Sequence, residues 1–266
     1  MNHLASSAAG FPSEALLPRR PASLGEILDA GFVLFKGTLI GCVPFSLVAV
    51  LLGHLPSVYQ LLTGQALALD ESKDLLWWLL MLVAGLGTLC MWLIIMLRQR
   101  AALAAAASQG NAGGVADDVF ADVMAAVRLL PRALLLLLLA AMAIALGGVL
   151  LVLPGIYLLV AFWPALAIQV FEGRGIRDSL DGALQLVRGE WRHVAMTLVV
   201  VAMSVLALFV IGSLCGLLLF EITGRADLAK DPLASGLVAG LLGALFQPLV
   251  IAFTLASYAD LRHRKA

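Results

Sequence analysis

Charge is what this chain has least of. Only 13% of its residues are Asp, Glu, Lys or Arg, against roughly 25% in a soluble domain. Apolar residues make up 62%. This balance excludes a soluble globule, a disordered chain and a nucleic-acid binder, and leaves a polytopic membrane protein. The 17 bases equal the 17 acids, so net charge names no partner.

Chemistry-bearing residues are scarce too. The three cysteines, Cys42, Cys90 and Cys215, sit inside apolar runs. They lack the ligand spacing of a zinc or iron–sulfur site, so no metal and no cofactor is expected. Of four histidines, His3 and His263 lie in the terminal stretches, His193 lies at an interface, and His54 alone falls inside a span. No nucleophile elbow, phosphate loop, HExxH or dinucleotide fingerprint occurs. The expectation is a protein that is not an enzyme.

What is abundant is apolar sequence in long bands. Six bands run at about 38–63, 75–97, 133–153, 155–171, 194–220 and 236–258. A helix needs about 20 residues to cross about 30 Å of hydrocarbon. The fourth band, with 17 residues, is marginal. Bands three and four are separated only by Leu153-Pro154-Gly155, a turn signal that predicts a tight hairpin at Pro154 and Gly155. Residues 1–22 are rich in Ala, Ser and Pro and have no apolar h-region. A disordered tail is expected there, not a cleaved signal peptide.

Fourteen of the 17 bases fall on the side of the N-terminus, and three, Lys73, Arg225 and Lys230, fall on the other. The positive-inside bias therefore predicts that both termini are cytoplasmic. Residues 261–266 read as a basic cytoplasmic tail. Trp77 and Trp78 would sit in the outer aromatic belt, and Trp191 in the inner one.

Two cytoplasmic segments match without gaps: LGEILDAGFVLFKG at 24–37 and IRDSLDGALQLVRG at 176–189. They share Leu28/Leu180, Asp29/Asp181, Leu34/Leu186 and Gly37/Gly189. In the second, Ile176, Leu180, Ala183, Leu184 and Val187 line one face, and Asp178, Asp181, Gln185 and Arg188 oppose it. Gly37 and Gly189 each stand where a glycine closes a helix. Residues 115–130 repeat the pattern loosely, without a closing glycine. The expected fold is all-α. A single membrane domain spans 23–260, with six transmembrane helices in three units of cytoplasmic amphipathic helix plus hairpin, at about 23–97, 115–171 and 176–258.

Several stretches are similar to those of a known family. They are Leu153-Pro154-Gly155-Ile156-Tyr157, Glu172-Gly173-Arg174-Gly175, Ser179-Leu180 and Leu186-Val187-Arg188-Gly189-Glu190-Trp191, with the opening Ser23-Leu24-Gly25-Glu26-Ile27-Leu28-Asp29. Together they resemble the YciC-like bacterial membrane proteins and the membrane domain attached to some glycerophosphoryl diester phosphodiesterases. The resemblance covers about 20–260 and implies a six-span bacterial inner-membrane protein. It brings no catalytic site, and no phosphodiesterase barrel of about 250 residues is encoded here.

The bands hold no Asp, Glu, Lys or Arg near their middles, which argues against a proton relay or ion pathway. His54, beside Pro56, is either a ligand contact or a histidine bonded to backbone. Gln247 falls at the midpoint of the sixth band, and Pro248 frees the carbonyl of Ala244. The pair could line a polar pocket, although such an amide more often bonds a neighbouring helix. Gly212 and Gly216, and Gly236 and Gly240 with Gly243, form small-residue faces that would let bands five and six pack closely, or support a homodimer. Glu172, Arg174, Arg177, Arg188, Glu190 and Arg192 form a charged rim. It could hold a lipid headgroup or a protein partner, or consist of solvated charge and local ion pairs. The sequence thus points to a non-enzymatic component that binds or organises membrane lipid or a partner protein. The alternative is a small-molecule or lipid transporter with its site at Gln247.

Overall fold

The computed structural model describes residues 22–63, 75–107, 119–224 and 232–265. Among them all regular structure is helical: α1 (Leu24–Thr63), α2 (Leu75–Ala107), α3 (Val119–Leu150), α4 (Val152–Phe162), α5 (Ala165–Glu172), α6 (Ile176–Val187), α7 (Trp191–Ile222) and α8 (Pro232–Lys265). Six segments are long and apolar enough to cross a membrane, the fourth being α4 and α5 together. The chain is built as a multi-pass membrane protein.

The start of α1 follows from a sequence signal that the hydropathy bands do not carry. Ser23 and Glu26 form a reciprocal capping box. The Ser23 N–H donates to Glu26 Oε2 at 2.7 Å, and the Glu26 N–H donates to Ser23 Oγ at 3.4 Å. From there α1 runs unbroken for 40 residues, about 60 Å at 1.5 Å per residue. The separate surface helix expected over 24–37 is therefore the first part of the span. Gly37 lies inside α1 with ordinary helical backbone, not at a helix end. The second unit differs in the same way, since α3 passes from 119 into the apolar band without interruption. Helix formation is cooperative, and even Pro131, in the second junction, does not end α3.

Only the third unit has a distinct surface helix. Gly173 closes α5 at φ 65°, its N–H donating to Gln169 O, and Gly189 follows α6 at φ 93°. Both are left-handed conformations that a side chain resists. Helix α6 buries Ala183 and Val187 and exposes Asp178, Asp181, Gln185 and Arg188, the split its sequence pattern predicts.

The hairpin between the third and fourth bands turns earlier than expected. The one non-helical residue is Leu151, at φ −160° and ψ 136°. Pro154 and Gly155 belong to the first turn of α4. Proline is tolerated there because the first N–H groups of a helix have no intrahelical acceptor. Gly155 sets the crossing instead. A Cβ on it would lie 2.8 Å from the backbone of Gly148, so the two helices touch through glycine backbone. Pro164 then breaks the fourth segment into α4 and α5.

Helix α1 packs chiefly on α2 and α8, α3 on α4, and α7 on α8. Leu93, Ile94 and Ile95 of α2 and Phe253, Leu255 and Tyr258 of α8 are fully buried. Gly31 makes room for Phe253, whose ring atoms would lie 2.3 Å from a Cβ there. Helix α8 continues to Lys265, so 261–265 is ordered helix and not a tail. Ala22, assigned above to a disordered tail, is 1% exposed. Residues 1–21, 64–74, 108–118, 225–231 and 266 lie outside the description, and with them most of the expected tail and loops.

Candidate functional site

The last turns of α8 organise the charged end of the molecule. Asp260 is wholly buried. Its Oδ1 accepts the Ala22 N–H at 2.7 Å. Its Oδ2 accepts from His193 Nε2 at 2.9 Å and from Arg264 Nε at 2.8 Å. Arg264 also donates to Ala22 O at 2.7 Å and lies 3.6 Å from Glu190. Two turns of α7 and α8 thus grip the peptide that precedes α1. Tyr258, Asp260, Arg262 and Arg264 were not singled out in the sequence. The signal that finds them is the (i, i+4) pairing of acid with base, and of tyrosine with arginine, at a helix end.

A second cluster surrounds Glu172. Its Oε1 accepts from Tyr258 Oη and Arg262 Nη1, and its Oε2 pairs with Arg174. Arg177 pairs with Asp181 at 3.8 Å on the exposed face of α6. The Arg188 carbonyl accepts from Lys265 Nζ at 2.6 Å, while the Arg188 side chain is exposed. Tyr157 and Trp191, from two of the family-like stretches, stack at 6.1 Å and 17°. Much of the expected rim is therefore neutralised inside the fold.

Beneath this end, Arg98 of α2 joins three helices. Its Nε donates to Asp122 of α3 at 2.8 Å, its Nη1 donates to Gly41 O of α1 at 3.0 Å, and its guanidinium lies 4.7 Å from the Phe45 ring. Its neighbour Gln99 is buried and donates to Pro248 O at 2.8 Å. Gln99 is thus the interhelical amide of this bundle. Gln247 has that role in the sequence reading because it is an amide at the midpoint of its band; Gln99 lies past the end of the second band, in the part of α2 that runs on to Ala107.

Gln247 faces something else. It lines a cavity of about 600 Å³ between α7 and α8, closed by Trp92 of α2 and by Trp163 after α4. The remaining lining is apolar, including Phe209, Phe246 and Val250. Gln247 Oε1 is buried without a hydrogen-bond partner, and among the described residues its side chain makes no hydrogen bond. Gly243 opens the cavity further, since a Cβ there would meet nothing within 4 Å. The groove continues along the α7 face that carries exposed Leu206 and Phe209.

His54 takes the backbone-bonded role: Nδ1 donates to Val50 O at 2.8 Å. Gly236 and Gly240 pack on α1, not on α7. A Cβ on Gly240 would lie 2.8 Å from both His54 Cε1 and Val50 Cγ1. Gly212 and Gly216 of α7 are buried, and Gly216 lines a smaller cavity of about 420 Å³ against Ser235, Gly236 and Ala239 of α8. The expected close α7–α8 glycine contact is an opening, because α8 leans its small residues on α1. Among the described residues no cluster of His, Cys, Asp and Glu could hold a metal. Comparison with known protein families, with curated proteins and with solved structures gives no match.

Proposed function

We propose that this is a non-enzymatic, multi-pass inner-membrane protein that binds membrane lipid in the lateral groove between α7 and α8, and that it belongs with the YciC-like proteins it resembles. The observation that carries the lipid reading is the groove itself. Its volume, about 600 Å³, lies within the roughly 300–1,000 Å³ of small-ligand sites. Its walls are apolar, and it lies among helices built to cross a bilayer.

The charged end supports the same reading. Arg128, Arg132, Arg177, Arg188 and Arg192 are exposed there, on the side that the positive-inside bias makes cytoplasmic. Bases at that level attract anionic headgroups. A proton- or ion-coupled transporter is less well supported. The groove holds one amide and no charge, and coupling calls for ionisable groups along the path.

Native mass spectrometry of the detergent-extracted protein tests the proposal. Wild type should retain lipid. Gly243→Leu places a side chain where a Cβ meets nothing within 4 Å and should lose that lipid while keeping its unfolding midpoint. Equal retention by both proteins would overturn the reading.

A further inference from the structure

Among the side chains that line the groove, Gln247 alone can accept a hydrogen bond. Its Oε1 is buried and has no donor. The neighbouring amide does not supply one, because Gln99 Nε2 donates to Pro248 O at 2.8 Å and to Thr38 Oγ1 at 3.4 Å. A buried acceptor left without a donor is costly. The same two bonds fix the level of the site. They set it beside Lys36, Arg98, Arg100 and Asp122, at the charged ends of the apolar bands in α1 and α2. The polar end of a membrane lipid reaches that level.

The groove itself is lined by no charged residue. Of the cations at its level, Arg98 is engaged with Asp122 and Gly41 O, and Arg100 with Val170 O. The polar group that meets Gln247 is therefore uncharged, and it must donate. The ester carbonyls and phosphate of a diacyl phospholipid only accept, and its headgroup donors lie beyond the phosphate. Such a lipid takes the Gln247 N–H and leaves Oε1 unpaired. A carboxylic acid serves both ends of the amide. Its O–H donates to Oε1 while its C=O accepts from Nε2, and its two oxygens are spaced like the N and O of the amide. Apolar walls keep that acid protonated, since burial disfavours the charged form.

Volume selects a single chain. A methylene group takes about the space of a water molecule, about 30 Å³ in the liquid. An eighteen-carbon chain then needs about 540 Å³ and two chains about 1,080 Å³, against about 600 Å³ in the groove. A diacyl lipid would have to leave one chain outside.

Resting on the lipid-groove reading, we infer that the groove's ligand is a long-chain fatty acid, bound as the neutral carboxylic acid. Its carboxyl pairs with the Gln247 amide, and its one chain lies against Trp92, Trp163 and Phe246 and leaves past the exposed Leu206 and Phe209 of α7. The protein's part is binding, with no bond made or broken.

The test is a titration of the full-length protein in phosphatidylcholine nanodiscs with dibromostearic acid, whose bromines quench tryptophan. Its methyl ester has the same chain and quencher but no O–H to donate. The acid should quench saturably, at concentrations about tenfold below any saturable quenching by the ester, the scale of one hydrogen bond. Gln247→Leu should weaken acid binding by at least the same factor. Gln247→Met, unbranched and close in size, provides the same test if the leucine variant unfolds. Equal binding of acid and ester would overturn the inference, as would acid binding unchanged in a folded Gln247 variant. So would an absence of saturable quenching by the acid; if Gly243→Leu nevertheless strips retained phospholipid, the lipid groove stands and only the fatty acid falls. If neither fatty-acid binding nor lipid retention occurs, both readings fall together.

Discussion

Asp260 accepts the backbone N–H of Ala22 at 2.7 Å, across 238 residues of chain. The carboxylate is fully buried and also holds His193 and Arg264. Removing one member of a buried ionic cluster leaves the others desolvated and unpaired. Asp260→Ala should therefore cost about 3–5 kcal/mol, measured by reversible unfolding in detergent. It should also make the chain at Ala22 susceptible to protease. A loss under about 1 kcal/mol would show that the joint does not hold the fold.

Gly37 and Gly189 occupy matching places in the two aligned segments but different backbones. Gly189 is at φ 93°, and Gly37 is ordinary helix with open space at its Cβ position. Gly189→Ala should destabilise by about 1–2 kcal/mol. Gly37→Ala should stabilise by about 0.5–1 kcal/mol. The pair of unfolding midpoints should move in opposite directions, and a shared sign would refute the assignment of a helix end to Gly189 alone.

The hairpin prediction moves with its turn. In a background lacking Cys42, Cys90 and Cys215, a cysteine at exposed Leu151 should react with a membrane-impermeant thiol reagent added from the outer side. Gly155 is buried against Gly148. A cysteine there should stay unlabelled, and its Cβ should cost about 1–3 kcal/mol through overpacking. Strong labelling at Gly155 with none at Leu151 would restore the later turn.

Orientation rests on the distribution of Lys and Arg. A reporter active only in the periplasm should work when fused at Asp70 or Asp227, and stay silent at Asn111 or Gly175. Activity at Gly175 would invert the topology. If all six apolar helices cross, the two termini share a side, and one inverted fusion reverses every assignment.

Hydropathy and residue count are local quantities, and they sufficed for six helices long and apolar enough to span a membrane and for α6. A span is legible because about 20 apolar residues are needed whatever the neighbours do. The closing Gly189 was legible from its place after an amphipathic helix, but Gly37, read by the same rule, lies inside α1, and Gly173, which closes α5, was not read as a helix end. Partnership is different. That Gln99 and not Gln247 ties α2 to α8 depends on how far α2 extends before its neighbour arrives. Gly236 and Gly240 read equally well as a face for α7 or for α1, and only the lean of α8 chose α1. The bases near 261–265 looked like a solvated tail until Glu172, Asp260 and Ala22 were brought within reach of Arg262 and Arg264. The groove at Gln247 lies between α7 and α8, which meet at Val201, Leu249 and Phe253, and Trp92 and Trp163 from elsewhere in the chain complete it.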